Sequence, residues 1–224
     1  MEKLKILYED NHIIVVEKKP NIPSQSDKTG DINMLTLVKD YIKEKYKKPG
    51  NVYLGLVHRL DRPVGGIMIF AKTSKAASRL SNQVREKIFK KKYLAVVDGK
   101  FEKNQGTLED YLYKDERHNM SKVVKKEKKN SKLAKLDYKV LKYNQVKDLS
   151  LVEINLHTGR HHQIRVQLSN FGHSIFGDQK YGTRGKGKQI ALWAYELTII
   201  HPVTKEELTF KDLPEPIGTW CILK

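Results

Sequence analysis

The 224-residue sequence predicts a single α+β domain in which a central, mixed but mainly antiparallel β-sheet is flanked by helices. Two observations favour this class. Short apolar segments rich in β-branched residues alternate with two amphipathic helical patterns. Several of these segments are joined by links too short for a crossover helix. Hydrophobic residues form 39% of the chain, which is enough to build a core and argues against wholesale disorder.

Periodicity places the elements of the N-terminal half. Residues 6–17 indicate a strand pair broken at Asp10-Asn11, because the apolar run that follows is short and β-branched. Apolar residues at helical spacing between Met34 and Ile42 indicate a helix that has Asp31 or Asn33 as its N-cap and is ended by Lys-Pro-Gly at 48–50. The next expected elements are a strand at 66–70, a helix from the cap Ser74 with its apolar stripe reaching Ile88, and a strand at 93–97.

The C-terminal half begins with a change of composition. Residues 114–135 lose the apolar periodicity and carry nine Lys and Arg against three Asp and Glu, which predicts a flexible basic loop inserted in the domain. Beyond this loop the pattern becomes regular again. We expect strands at 136–141 and 151–156, a helix from about Arg160 to Phe171 followed by Gly172, and a hairpin of 195–201 with 207–211.

The charge points to a polyanionic partner. Lys and Arg number 43 against 26 Asp and Glu, which gives a formal charge of +17. Nucleic acid is the first candidate, and an anionic membrane is the second, disfavoured because the basic segment lacks a bulky apolar face. There is no apolar run of membrane-spanning length and no signal-peptide pattern, so we expect a cytoplasmic protein. The single cysteine, Cys221, excludes an intrachain disulfide and a Cys-rich zinc site.

The densest polar cluster is the segment HRLDRPVGG at 58–66. It places Asp61 between Arg59 and Arg62, in a turn closed by a proline and a glycine pair just before a buried strand. The simplest interpretation is a loop acid that is neutralised by its neighbours. The alternative is a carboxylate that takes part in chemistry.

A second cluster, LHTGRHHQIR at 156–165, precedes and enters the expected helix. Ile164, Leu168 and Phe171 are expected to be buried, and Arg165 lies beside them in a position to meet an acid. A metal site at the three histidines is disfavoured because His161 and His162 are adjacent and no carboxylate partner is evident, so solvated or phosphate-facing histidines are expected. Tyr93, in the strand after Lys92, is by itself most simply a core aromatic.

Taken together, these segments resemble the RluA-type pseudouridine synthases. The matching motifs are Val16–Pro20, His58–Gly66, Lys92–Ala95, Gly159–Gly182 and Ala194–Pro202. They occur in the family's order and span nearly the whole chain. Val64-Gly65-Gly66 replaces the family's common T-S-G, and His161 stands where threonine is frequent. The resemblance implies a pseudouridine synthase fold in one catalytic domain over residues 1–224, without the small S4-type RNA-binding module of some relatives.

The resemblance also implies a reaction and the residues that perform it. Uridine becomes pseudouridine when the N1–C1′ bond breaks and C5 joins C1′, a change that needs no cofactor, no metal and no redox step. Asp61 is then the catalytic carboxylate, attacking C1′ or stabilising an electron-poor sugar. Arg165 is the cation that keeps Asp61 ionised. Tyr93 stacks on the flipped uracil and assists removal of the C5 proton.

The remaining candidate residues are expected to contact RNA. They are Arg59, Arg62, Arg160, His162, Gln163, Lys92, Lys122, Lys125 and Lys126. Arg59 either fills the space vacated by the flipped base or, like Arg62, binds phosphate. The lysines supply attraction that does not depend on RNA sequence. We expect a monomer that acts on ribosomal or transfer RNA.

Two other functional classes were weighed against this one. A non-catalytic RNA-binding or ribosome-assembly protein on the same scaffold would be equally basic, with Asp61 structural. An RNA methyltransferase or a metal-dependent nuclease is disfavoured, because the sequence has neither a glycine-rich loop after a strand nor a tight cluster of carboxylates.

Overall fold

The computed structural model describes residues 4–224, which divide into two compact units. The first unit runs to Lys90 and includes Ala194–Leu213, and the second comprises Lys91–Trp193 and Pro214–Lys224. The elements in chain order are β1 (Ile6–Glu9), β2 (Ile13–Lys18), α1 (Met34–Lys45), β3 (Gly55–Leu56), β4 (Gly65–Ala71), α2 (Ser74–Arg85), β5 (Lys90–Asp98), β6 (Gln105–Asp115), β7 (Met120–Val124), β8 (Lys132–Asn144), β9 (Leu149–Leu156), α3 (Gln163–Asn170), β10 (Leu192–Ile200), β11 (Glu207–Lys211) and a 3-10 helix (Gly218–Leu223).

The core of the first unit is formed by two adjacent strands and a helix. Strand β2 pairs antiparallel with both β1 and β4, and β10 pairs antiparallel with β11. All seven residues of β4 are buried, which explains why its sequence is continuously apolar instead of alternating. Val15 and Ile69 of the sheet pack in one cluster with Ala76 and Leu80 of α2.

The second unit is built on five antiparallel strands in the order β5, β9, β8, β6 and β7. Helix α3 covers part of this sheet, where its Val166 packs with Leu112 of β6 and Ala134 of β8. The chain therefore has the α+β, mainly antiparallel architecture that the sequence predicts. Within residues 4–224, no helix combines the length and the apolarity needed to cross a bilayer.

The expected flexible loop over residues 114–135 is wrong for much of its length. Strand β7 lies within it and pairs with β6 from Tyr111↔Val124 to Asp115↔Met120. The alternation of buried and exposed residues was not visible in the sequence, because the buried residues here are small. Ser121 is 3% exposed and Ala134 is fully buried, whereas the lysines between them face solvent. The segment is thus a basic hairpin whose inner face carries few bulky apolar residues.

Three smaller expectations also need correction. The N-cap of α2 is Thr73, whose hydroxyl accepts a hydrogen bond from the Ala76 amide at 3.1 Å, so Ser74 is the first helical residue. The same helix ends at Arg85, before Ile88. Helix α3 begins only at Gln163, and Phe171 behind it is 44% exposed instead of buried. The predicted N-cap Asn33 of α1 is confirmed by its bond from the Thr36 amide.

Candidate active site

Asp61 lies in the loop between β3 and β4 of the first unit and is half-buried. Its backbone carbonyl accepts a hydrogen bond from the Val64 amide at 3.0 Å, which closes a tight turn around Pro63. The turn leads directly into Gly66, whose φ is +120°. A Cβ atom there would overlap the backbone of Ala194 in β10, so only glycine fits. The glycine pair of the HRLDRPVGG segment therefore fixes where the Asp61 loop joins the sheet.

A buried lysine forms hydrogen bonds with the backbone of this loop. Lys18 ends β2 opposite Gly66, and its side chain is fully buried. Its Nζ donates to the carbonyls of Val64 at 2.7 Å, Arg62 at 2.9 Å and Lys19 at 3.2 Å. Burial lowers the pKa of Lys18 to about 7, while the nearby charge of Asp61 acts in the opposite direction.

Lys18 lies in the first family motif, but no role was predicted for it. One signal was available, because Lys18 lies at the same alternate positions of β2 as the buried Ile14 and Val16. A lysine in phase with such residues needs internal acceptors, because a buried ammonium without partners is unstable. Lys18 thus acts as a positioning residue for the Asp61 loop.

Further bonds tie the loop to the segment after β2 and to β4. Ser24 Oγ donates to the Leu60 carbonyl at 2.8 Å and accepts from the Leu60 amide at 3.1 Å. His58 Nε2 accepts from the Ile69 amide at 3.1 Å, and the His58 ring packs against Phe89. Leu60 and His58, which precede Asp61 in the loop, are therefore each held by hydrogen bonds.

The two arginines of the segment are exposed. Arg62 pairs with Asp31 and lies 3.7 Å from the carboxylate of Asp27, so it contacts acids other than Asp61 in this unit. Arg59 is exposed, as a phosphate-binding residue must be.

Arg165 is the central residue of the second cluster and lies in the second unit. Its Nε and Nη2 donate to the two carboxylate oxygens of Asp178 at 2.8 and 2.6 Å, and both side chains are almost fully buried. Asp178 Oδ1 also accepts from the amides of Lys180 and Tyr181. This bidentate pair fixes the plane of the guanidinium. The acid that Arg165 meets within its unit is thus Asp178, to which sequence analysis assigned no role, and an ion pair of Arg165 with Asp61 stays a prediction.

His162 and Gln163 are both buried. His162, at φ +52° before α3, is 8% exposed, and its Nδ1 lies 2.9 Å from the Tyr181 hydroxyl. Burial first, and then the charge of Arg165, lower the pKa of His162 to about 2, so the ring is neutral. Gln163 Oε1 accepts from the Thr158 hydroxyl and its Nε2 donates to the Lys135 carbonyl. The expectation of a solvated side chain is therefore wrong for His162. Both residues organise the start of α3, and contact of either with RNA stays a prediction.

The other candidates of the second unit differ in exposure. Tyr93 lies in β5 opposite Ile154 and is 6% exposed, and Lys92 beside it is half-buried, with its Nζ 4.0 Å from Glu153. Arg160 is exposed, and its Nε donates to the Leu133 carbonyl at 2.9 Å. Lys122 in β7, with Lys125 and Lys126 in the link from β7 to β8, form a group called here the β7 lysines, and all three are exposed. Within residues 4–224, no three His, Cys, Asp or Glu side chains are grouped to hold a metal ion.

Comparison with known proteins decides the family. The family described as RNA pseudouridylate synthase matches residues 12–170. The chain belongs to the RNA pseudouridylate synthase family. The uncharacterized RNA pseudouridine synthase YhcT of Bacillus subtilis is 34% identical over 217 residues, which cover 96% of this chain and 69% of that protein. Ribosomal large subunit pseudouridine synthase D of Nitrosomonas europaea is 31% identical over 229 residues, covering 96% of this chain and 63% of that protein.

Solved structures agree with this family. Human RNA pseudouridylate synthase domain containing 1 has 25% identity and a TM-score of 0.77, covering 96% of this chain and 84% of that one. Human RNA pseudouridylate synthase domain containing 4 has a similar fold at 23% identity, with a TM-score of 0.78 over 94% of this chain and 89% of that one. The predicted family, fold class and enzyme class, an RNA pseudouridine synthase and hence an isomerase, are confirmed.

Proposed function

We propose that this chain isomerises one or more uridines of ribosomal RNA, with Asp61 as the catalytic carboxylate. The observation that carries the proposal is the family match together with the construction of the Asp61 loop, which a buried lysine and a glycine hold in one conformation. Ribosomal RNA is favoured over transfer RNA because two relatives are named ribosomal large subunit pseudouridine synthases, D of Nitrosomonas europaea and C of Rickettsia prowazekii. We infer that the reaction takes place in the cytoplasm and that the enzyme acts as a monomer.

The proposed reaction starts with extrusion of the target nucleotide from its stack, at an unstacking cost of a few kcal/mol that new contacts must offset. The Asp61 carboxylate then attacks C1′ or stabilises the sugar as the N1–C1′ bond breaks. The freed uracil turns, and C5 bonds to C1′ as any Asp61–C1′ ester bond breaks and returns the free carboxylate. The C5 proton leaves while N1 takes up a proton. The base keeps all its other atoms, so no cofactor or oxidant is needed.

Each remaining candidate has a distinct part in this proposal. Tyr93 stacks on the extruded uracil and assists loss of the C5 proton. Arg165 favours the ionised form of Asp61, and Asp178 orients Arg165 through the bidentate pair. Arg59 fills the vacated position in the stack or binds phosphate, as Arg62 does.

Exposed cations supply the affinity for RNA in this proposal. The β7 lysines, together with Lys128 and Lys129 of the β7–β8 link and Arg160 beside β8, attract the phosphate backbone irrespective of sequence. Lys92, which is half-buried, contacts RNA as well in this proposal. Binding is therefore expected to weaken steeply as salt is added.

Release of tritium from ribosomal RNA labelled at uridine C5 tests the proposal. The wild-type protein should release tritium, Asp61→Asn should release none, and Asp40→Asn, which changes an exposed carboxylate on α1 in the same unit, should behave as wild type. Thermal unfolding of both variants checks that they fold. Persistent release by Asp61→Asn would refute the catalytic role, and RNA binding without release by any of the three proteins would indicate the non-catalytic RNA-binding protein.

A further inference from the structure

An exposed aromatic and basic patch lies at the C-terminal end of α1, in the first unit, and has no part in the proposed chemistry. The Tyr46 patch consists of Tyr46, Lys45, Lys47, Lys48 and Lys72. Tyr46 is 46% exposed. The Nζ atoms of Lys72, Lys45 and Lys48 lie 4.9, 5.4 and 5.9 Å from the centre of its ring. Three ammonium groups are thus gathered within 6 Å of one partly exposed aromatic ring.

A single buried carboxylate organises this patch. The Glu9 side chain is 6% exposed and accepts hydrogen bonds from Lys45 at 2.7 Å, Lys72 at 2.8 Å and the Tyr46 hydroxyl at 2.8 Å. The Tyr41 hydroxyl donates to it as well, at 3.0 Å. Burial would raise the pKa of Glu9, but these donors lower it to about 2, so the carboxylate is ionised. One negative charge against four lysines leaves the patch positive, with its ring and two of its lysines held in place.

A structural role accounts for only part of the patch. Lysines in the last turn of a helix complement its dipole, and the Glu9 network ties α1 to β1. Neither explains Lys47, which follows the C-cap at φ +48°. The amides of Lys47 and Lys48 donate to the carbonyls of Glu44 and Lys43, the pattern of a Schellman motif, in which the left-handed residue is usually glycine. A lysine at this left-handed position is less stable than a glycine would be, and it adds a cation next to the exposed ring.

We propose that the Tyr46 patch binds an unpaired segment of the RNA substrate, with one base stacked on the Tyr46 ring and the flanking phosphates held by the exposed Lys47 and Lys48. Aromatic rings set among cations are the usual means of holding single-stranded nucleic acid, because every base has a face to stack and every nucleotide a phosphate. The inference rests on the proposed function for its choice of RNA. It adds a binding site for nucleotides other than the one that reacts.

Two substitutions at Tyr46 separate stacking from structure. Fluorescence anisotropy measures the binding of a labelled 20-nucleotide single-stranded uridine RNA and of a labelled 20-base-pair RNA duplex. Tyr46→Ala should bind the single strand roughly five- to tenfold more weakly and the duplex with unchanged affinity. Tyr46→Phe keeps the ring and should stay within about twofold of wild type. Equal losses in both variants would show that Tyr46 acts only through Glu9, and unchanged binding by Tyr46→Ala would also overturn the proposal.

The left-handed lysine provides a second test with a matched control. Lys47→Gly and Lys205→Gly each remove one positive charge at a positive φ, in the same unit, and both should raise the unfolding temperature. Only Lys47→Gly should weaken single-strand binding, by about two- to threefold, with a salt dependence shallower by about 0.7. Equal binding by the two variants would refute the proposal.

The outcome is distinguishable from failure of the proposed function. Binding is measured without turnover, so wild-type protein that binds RNA but releases no tritium would contradict the proposed function alone. Wild-type protein that is active, but binds the single strand no better than Tyr46→Ala, would contradict this inference alone.

Discussion

Replacing Lys18 by methionine tests whether a buried ammonium holds the catalytic loop. Methionine keeps most of the apolar stem but removes every donor at its end. The Arg62 carbonyl would keep its bond from the Asn21 amide at 2.8 Å. The carbonyls of Val64 and Lys19 would lose their bonds of 2.7 and 3.2 Å to Nζ.

The size of the effect follows from these contacts. Each buried carbonyl left without its partner costs about 1–3 kcal/mol, and removal of a desolvated ammonium offsets part of that. We expect the free energy of unfolding to fall by about 1–3 kcal/mol. The reaction should slow by a factor of roughly ten to a hundred, because a shift of about 1 Å in the loop misplaces Asp61.

The Lys18→Met substitution should also change how the free energy of unfolding depends on pH. The pKa of Lys18 is about 7 in the folded protein, below its ordinary value of 10.5, so between these values the unfolded chain binds more protons than the folded one. The free energy of unfolding therefore rises with pH in this window, by up to about 1.4 kcal/mol per pH unit. From pH 7 to pH 9, the wild type should gain about 2 kcal/mol relative to Lys18→Met.

Denaturant unfolding at pH 7 and pH 9, with tritium release measured well below the unfolding temperature, provides the data. Lys75→Met, which changes an exposed lysine of α2, is the matched control and should leave both quantities unchanged. Wild-type stability and activity in Lys18→Met would refute the positioning role. A stability difference that does not change between pH 7 and pH 9 would refute the lowered pKa.

Three other perturbations test separate parts of the structure. Asp178→Asn removes the negative charge that Arg165 pairs with in the buried bidentate contact and should lower the free energy of unfolding by about 3–5 kcal/mol, as measured by denaturant; a loss below about 1 kcal/mol would contradict the structural importance of the pair. Gly66→Ala should cost roughly 3 kcal/mol or more, because its Cβ overlaps Ala194, whereas Gly50→Ala, with open space around it, should stay within about 0.5 kcal/mol. Replacing the three β7 lysines by alanine should make the salt dependence of RNA binding shallower by about 2, and an unchanged slope would show that they do not contact phosphate.

Sequence patterns predicted those elements whose buried residues are large and apolar. Strands β2 and β4 and helix α1 were located within a few residues, because their apolar side chains recur at the expected period. Strand β7 was missed because its buried residue is the small, polar Ser121, and because lysines stand at position 122 and directly after the strand at 125 and 126. The many lysines therefore made a paired strand look like a loop, because the solvent-facing side of a strand can carry charged residues.

The candidate site was predicted in its residue types but not in its supporting contacts. The motifs identified Asp61 and Arg165, whereas Lys18 and Asp178 emerged only from register and from contacts distant in sequence. Lys18 reaches the Asp61 loop because β2 pairs with β4, and no local pattern encodes that pairing. His162 was expected to be solvated because the sequence offered no metal-ligand pattern for it, and its contact with Tyr181 is distant in sequence.

Site-resolved mapping of pseudouridine in ribosomal RNA tests the central claim most directly. RNA would be compared from cells that carry the wild-type gene, lack it, or carry the Asp61→Asn allele at equal protein levels. We expect at least one uridine to be modified only with the wild-type allele. A pseudouridine that disappears on deletion but returns with Asp61→Asn would contradict the assignment of Asp61, and a pattern identical in all three strains would contradict ribosomal RNA as the substrate.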